Sequence, residues 1–338
     1  MNRKEIEERL TALVCNQLEN GIVPWRKPWQ TAGILPTSLQ TGKTYRGMNL
    51  FMLSLLGGQY DRSLWVTFRQ AKYLGGHVKR GETGLPIVYY SMINKVNKDT
   101  GETYRVPLLR LTNVFNIAQT EGIVLPKKFT ETREPVAVLD GVKTIQAKYT
   151  EVPITNDGGD RAYYSPMTDS IHLPSLKAFN TAEEYASTFA HEVIHSTGHK
   201  NRLDRFTAGE TFGCKGYAKE ELVAEIGNQM LLAEVGVSMD TAFLNSASYL
   251  TNWLGALNKD TSLLMKAARD AQKAVDYVLG IKTNDTEEAE AAEAEGVMLW
   301  SSNPRHLSSA LSIIGTCLEW KHPADTVMIG ISLKMISG

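Results

Sequence analysis

Two histidines and a glutamate in the middle of the chain have a spacing suited to binding a metal ion. His191, Glu192 and His195 form a His-Glu-x-x-His sequence. Residues four apart lie on one face of a helix, so the two histidines can direct imidazole nitrogens at one point. Glu192 lies beside them, where it can take a proton from a water molecule. We therefore predict a Zn²⁺ site with His191 and His195 as ligands and Glu192 as the catalytic base.

The residues around this motif predict a helix that holds it. Thr181 and Glu184 have the spacing of a capping box, and Gly198 stands where a helix is expected to stop. Between them, apolar residues recur at helical spacing and predict a face turned to the core: Tyr185, Phe189, Val193 and Ile194. The predicted helix covers about residues 182–197.

A catalytic zinc site needs a third protein ligand. The extended form of the motif has a third histidine at its eleventh position, which is Asn201 here, whereas His199 occupies the ninth position. This spacing places His199 beyond the helix end, so we expect it to support the site from behind the ligands or to contact substrate.

A second helix, at about 218–232, offers glutamates instead. Glu221 and Glu225 are four residues apart and share a face, and Glu225 is embedded among apolar residues, where a carboxylate is normally paired or bound to metal. We assign Glu221 as the third ligand, with Glu225 as the alternative. The other carboxylate would then orient a ligand from behind.

Composition and cysteine usage limit the class of protein. The chain has 338 residues, of which 43% are hydrophobic and 22% charged, as in ordinary globular proteins. We recognise no signal peptide and no segment long and apolar enough to cross a membrane. The three cysteines are far apart, which fits a reducing cytoplasm. We therefore expect a cytoplasmic protein with two domains.

The charge is distributed unevenly along the chain. Residues 1–128 contain 18 Lys and Arg against 9 Asp and Glu, a net charge of +9, although the whole chain has a net charge of −1. Basic residues interleaved with aromatic residues are what binding of single-stranded DNA requires. The candidate DNA-binding residues are Trp25, Arg26, Lys27, Trp29, Tyr45, Arg46, Arg69, Lys72, His77, Lys79 and Arg80. A solvated basic surface with the aromatic residues in the core is the alternative.

Strand-like and helical segments alternate irregularly, which predicts an α+β fold. An α+β domain over residues 1–128 would bind single-stranded DNA. After a linker and first helix at 129–150, a mainly helical domain with a small antiparallel sheet would occupy 151–281 and hold the metal. Residues 282–338 are predicted to be an acidic linker followed by a C-terminal extension with no recognisable motif.

Distinctive runs of residues occur over about residues 1–280: Val-Pro-Trp-Arg-Lys-Pro-Trp at 23–29, Tyr-Arg-Gly-Met-Asn at 45–49, and the runs at 65–84, 112–116, 191–199, 217–227, 249–254 and 267–277. In these runs, and in their order and spacing, the chain resembles the ArdC antirestriction proteins of conjugative plasmids and the related N-terminal region of TraC primases. It implies an N-terminal domain that binds single-stranded DNA and a C-terminal zincin-like metallopeptidase domain.

The resemblance further implies that the protein protects incoming plasmid DNA from host restriction, in the cytoplasm and after transfer into the recipient cell during conjugation. It leaves open whether the peptidase is active. A DNA-binding protein whose zinc site is only structural, and a cytosolic zinc peptidase unrelated to DNA, are the alternatives.

Overall fold

The computed structural model describes residues 1–22, 35–97, 100–130, 136–156, 161–206, 215–237 and 247–282. All of these belong to one compact unit, residues 1–296. The acidic linker and C-terminal extension expected after residue 282 lie outside the described residues. Among the helices that are described, none is both long and apolar enough to cross a membrane.

The N-terminal part combines three helices with two sheets. Its helices are α1 (Arg3–Glu19), α2 (Gly47–Leu56) and α3 (Phe68–Tyr73). Its strands are β1 (Thr37–Ser38), β2 (Leu64–Thr67), β3 (His77–Val78), β4 (Leu85–Val96), β5 (Thr103–Asn116) and β6 (Thr120–Glu121).

A long hairpin dominates the larger of the two sheets. β4 and β5 pair antiparallel from Leu85 opposite Val114 to Val96 opposite Thr103, and the strand order is β1-β2-β5-β4. Gly101, at the end of the connecting turn, has a φ of +73°, which glycine adopts without strain. β3 and β6 form a separate two-stranded sheet.

The C-terminal part is mainly helical, as predicted. Its helices are α4 (Val138–Lys148), α5 (Ala182–Ser196), α6 (Lys215–Glu234), α7 (Ala247–Lys259) and α8 (Leu263–Leu279). Its strands are β7 (Ile154–Thr155), β8 (Tyr163–Ser165) and β9 (Ser170–His172), in the order β7-β9-β8.

This small sheet is mixed rather than wholly antiparallel. β8 and β9 form the predicted antiparallel pair, but β7 lies parallel to β9. The chain passes from β7 to the far edge at β8 and then returns through the central position, which makes β9 run in the direction of β7. The expectation of an all-antiparallel sheet was wrong on this point.

One hydrophobic core joins the two parts of the chain. Ile6, Leu10 and Val14 of α1 are fully buried in the same cluster as Phe189 of α5 and Leu264 of α8. A hydrogen bond of 2.9 Å from Thr11 Oγ1 to the Thr261 carbonyl also links α1 to the segment before α8. The segments before and after the predicted domain boundary at 128–151 therefore share one hydrophobic core.

This shared core predicts that both parts unfold together. Leu10→Ala should lower the free energy of unfolding by about 2–5 kcal/mol, because it leaves a cavity in the core. In a denaturant titration, circular dichroism and tryptophan fluorescence should report one coincident transition, shifted to lower denaturant. Leu176→Ala, at an exposed leucine (42%), should change stability by at most about 0.5 kcal/mol. Two separate transitions, only one of them shifted by Leu10→Ala, would contradict a single cooperative core.

Candidate metal centre

The helix that carries the His-Glu-x-x-His sequence begins and ends close to where the sequence predicts. Thr181 caps α5, since its side chain accepts a hydrogen bond of 3.1 Å from the Glu184 amide. The carboxylate of Glu184 accepts from the amide of Asn180 rather than from that of Thr181, at 3.0 Å. These two hydrogen bonds stabilise the first turn of the helix. The His-Glu-x-x-His motif occupies its last turns.

Three side chains from α5 and α6 converge on one point. The Nε2 atoms of His191 and His195 are 3.0 Å apart. The carboxylate of Glu221 lies 3.7 Å from Nε2 of His191 and 3.5 Å from Nε2 of His195. Among the described residues, these three form the one group of His, Cys, Asp or Glu side chains close enough to share an ion.

The spacing of these atoms fits a divalent metal ion. Bonds of about 2.0–2.2 Å in a tetrahedral site separate neighbouring ligand atoms by about 3.3 Å. The distances between 3.0 and 3.7 Å bracket this value. Two imidazoles and one carboxylate are also a donor set found in catalytic zinc sites.

Glu192 and Glu225 lie beside this group without joining it. Both are buried, with 8% and 7% of their surface exposed. The negative charge of each favours the protonated form of His191. Glu225 therefore occupies the neighbourhood expected for a carboxylate behind the ligands, while Glu221 is the one of the pair that reaches both imidazoles.

A fourth glutamate, Glu220, contacts His195 from the side opposite Glu221. Its Oε1 lies 3.4 Å from Nδ1 of His195. Arg205 holds the same carboxylate with two donors, Nε at 3.0 Å and Nη2 at 2.7 Å. Glu220 lies outside the helix face shared by Glu221 and Glu225, so it was not among the predicted site residues. The adjacent Glu-Glu pair was the available signal, since neighbouring residues point about 100° apart on a helix.

These contacts divide the charge unequally between the two imidazoles. Burial by itself would lower the pKa of His195, but hydrogen bonds to Glu220 and Glu221 raise it to about 10. Burial, together with the neighbouring His195, lowers the pKa of His191. These contacts therefore favour a protonated imidazole at His195 and a neutral one at His191.

His199 is not part of this group, and its recorded contacts are with other residues. Its Nδ1 accepts a hydrogen bond of 3.3 Å from the Asn201 amide and lies 3.9 Å from Asp169. Arg202 connects the same aspartate, on the turn between β8 and β9, to the end of α5: its Nη1 donates to Asp169 at 3.1 Å and its Nε to the Ser196 carbonyl at 2.8 Å. His199 thus belongs to the contact between sheet and helix, and its role behind the ligands stays a prediction.

Two family models match the chain, one in its N-terminal part and one in its C-terminal part. Residues 4–115 match the N-terminal domain of the anti-restriction factor ArdC. Residues 143–270 match a zincin-like metallopeptidase domain. A crystal structure of the antirestriction protein ArdC from plasmid R388, in its metal-free form, superposes with a TM-score of 0.68 and 39% sequence identity, covering 85% of this chain and 97% of that one. The chain belongs to the ArdC family.

Other relatives of this family member differ greatly in length. It is 33% identical over 312 residues to a DNA primase TraC of Escherichia coli, but covers only 29% of that protein's length. It is 31% identical to the uncharacterized protein y4eC of Sinorhizobium fredii, of which it covers 91%. A second ArdC structure from plasmid R388, with Mn(II) bound, is 38% identical and has a TM-score of 0.65, covering 85% of this chain and 98% of that one.

The residues expected to bind DNA have different surroundings. Trp25, Arg26, Lys27 and Trp29 lie outside the described residues. Tyr45 is 7% exposed and packs in a core cluster with Trp65, so its ring is not available for base stacking. The guanidinium of Arg46 pairs with Asp276 of α8. The prediction that Tyr45 and Arg46 contact DNA conflicts with this packing.

The remaining candidates are on or near the surface. Arg69, Lys72, His77 and Arg80 are exposed, and Lys79 is half-buried. Nε2 of His77 lies 3.5 Å from Glu121 on β6, and Nζ of Lys79 donates to the Ala118 carbonyl at 2.9 Å. Lys72 and Arg80 thus remain the clearest exposed cations of the predicted set.

The contact between Glu220 and His195 predicts an effect on metal affinity. Glu220→Gln removes the charge that orients and polarises His195, so we expect Zn²⁺ to bind about 10- to 100-fold more weakly, as measured by competition with a chromophoric chelator. Glu183→Gln, about two turns before His191 on the same helix, should bind as tightly as the unaltered chain. Equal affinities for all three proteins would show that Glu220 does not position the ligand.

Proposed function

We propose that this ArdC family member is an antirestriction protein that binds single-stranded DNA without strong sequence preference and carries a zinc metallopeptidase-type site. It would protect incoming plasmid DNA from host restriction during conjugation, acting in the cytoplasm of the recipient cell. The convergence of His191, His195 and Glu221 beside Glu192 is the observation that best supports the peptidase part.

The proposed ligands are His191, His195 and Glu221. The Mn(II)-bound ArdC of plasmid R388 supports a divalent metal ion in this family. We propose zinc for this chain, because two imidazoles and one carboxylate are a common set for catalytic zinc. When bound, the ion would supply Lewis acidity, which makes water more acidic and a carbonyl group more electrophilic.

Glu192 would then perform the proton transfers of peptide hydrolysis. Its carboxylate takes a proton from the attacking water and returns it to the leaving amine. Its position next to His191 in the sequence, at the buried end of α5, keeps this carboxylate close to the ligand group. Glu220 and Arg205 hold His195 in the orientation that the site needs.

The charge of the N-terminal part supports the DNA-binding part of the proposal. Residues 1–128 have a net charge of +9, and α3 and the loop after β3 place basic side chains on the surface. A polyanion neutralises such a surface and releases counterions on binding. Binding to DNA would be independent of metal occupancy, because the basic residues are not in the ligand group.

The Glu192→Ala variant distinguishes a catalytic metal site from a purely structural one. The ligands remain, so we expect about one zinc per chain and unchanged thermal stability, but loss of protection when an unmodified plasmid is transferred into a restricting recipient. His191→Ala, which removes a ligand, should lose both zinc and protection. If Glu192→Ala protects the plasmid fully while retaining zinc, proteolysis is not the mechanism and the site is structural.

Salt dependence tests the DNA-binding part. The full chain should bind a fluorescent oligo(dT), as measured by anisotropy, with log K falling linearly with log salt by about 0.7 for every phosphate contacted. A mixed-sequence oligonucleotide of equal length should bind within about threefold, since backbone contacts and stacking do not read sequence. If the chain does not bind the oligonucleotide, or binds it equally well in low and high salt, the DNA-binding proposal is wrong. The alternative of a peptidase unrelated to DNA would then remain.

A further inference from the structure

The short helix α3 has an unusual outer face. Phe68 and Tyr73, its first and last residues, are 61% and 63% exposed. Arg69 and Lys72 are exposed as well, whereas Gln70 and Ala71 are buried against the rest of the fold. Two large aromatic rings and two cations therefore share the outward side of six residues.

The backbone beneath these rings is firmly held. Thr67 and Gln70 form a complete capping box, in which the Gln70 amide donates to Thr67 Oγ1 at 3.2 Å and the Thr67 amide donates to Gln70 Oε1 at 2.7 Å. Ala71, on the inner side, is fully buried in a cluster with Leu64 and Val66 of β2. The exposed rings thus stand on a fixed base, which reduces the entropy lost when a ligand binds.

The segment around α3 is basic throughout. From residue 62 to residue 81 the chain contains five Lys and Arg and no Asp or Glu. An exposed apolar surface that binds another protein is usually depleted in lysine at its centre. Aromatic rings interleaved with cations are instead the surface that binds single-stranded nucleic acid, with the rings against bases and the cations beside phosphates.

We propose that the outer face of α3 is a base-stacking surface for single-stranded DNA, with Phe68 and Tyr73 each stacking on a base and Lys72 contacting the intervening phosphates. Neither ring was among the aromatic residues that the sequence suggested. The two rings are five positions apart along the helix, a rise of about 7.5 Å, which leaves room for each ring to meet its own base. The assignment rests on the proposed binding of single-stranded DNA and gives that binding a location.

The test uses the full chain, fluorescent oligo(dT) and anisotropy. Phe68→Ala and Tyr73→Ala should each weaken binding by about fivefold or more, and the double variant by more than either, as expected for loss of stacking. Phe68→Tyr and Tyr73→Phe keep a ring and should restore affinity to within about twofold. Lys72→Gln should instead reduce the slope of log K against log salt by about 0.7, a slope that the ring variants leave unchanged.

Tyr163→Ala provides the matched control, because Tyr163 is a 46% exposed tyrosine on β8, outside the basic segment. It should bind oligo(dT) like the unaltered chain, and all variants should have unchanged circular dichroism spectra. If the unaltered chain binds and the double variant binds equally well, the surface lies elsewhere while the proposed function stands. If the unaltered chain fails to bind, both fall. A double variant that changes only the oligomeric state, as judged by sedimentation, would make this face a protein contact.

Discussion

The close approach of α5 and α6 is the constraint on which the candidate metal centre depends. A methyl group on Gly227 would lie 2.9 Å from Cγ2 of Ile194, so the two helices can be this close only because residue 227 has no side chain. Ile194 is fully buried, and it lies next to His195. Glu221 is less than two turns before Gly227 on α6, so the separation of the helices fixes how far its carboxylate reaches. Functional groups must be held to about 0.5 Å, which a tightly packed pair of helices can provide.

The loop after α5 contains two arginines, Arg202 and Arg205, which connect that helix to the turn between β8 and β9 and to α6. Arg202 ties the turn between β8 and β9 to the end of α5, and Arg205 ties α6 to it through Glu220 and through the Ile194 carbonyl, at 2.9 Å. The side chains of Arg202 and Arg205 are almost fully buried, at 4% and 6% exposure. Buried ion pairs add little net stability, because removing the charges from water offsets most of the attraction. Their value here is geometric: planar donors fix the carboxylates and carbonyls that surround the histidines.

Local patterns predicted the parts of the site that depend on local physics. The cap at Thr181, the extent of α5 and the shared helical face of Glu221 and Glu225 all follow from the preferences of a single helix. The adjacent Glu-Glu pair places Glu220 on another face of α6, but which partner Glu220 meets depends on where His195 turns its second nitrogen, and that does not follow from α6 alone. Tyr45 was misjudged for a similar reason. An aromatic residue next to an arginine can lie in the core or on the surface. Here the packing of α2 against the sheet decides, because Tyr45 lies in a cluster with Leu53 of α2 and Trp65 of β2.

The uneven charge of the chain illustrates the same limit. A count of basic residues treats Arg46 and Arg80 alike, yet Arg46 pairs with Asp276 of the acidic C-terminal part, while Arg80 is exposed. Asp276 lies on α8, and Gln272 of this helix accepts a hydrogen bond of 2.7 Å from the Gly47 amide. Thus α8 contacts the start of α2 through polar groups as well as through the core. Part of the basic excess thus serves to join the two parts of the chain. The basic residues that remain for a polyanion are concentrated around α3 and β3, where residues 62–81 contain no Asp or Glu. This local charge, more than the net charge of +9, would decide where a polyanion binds.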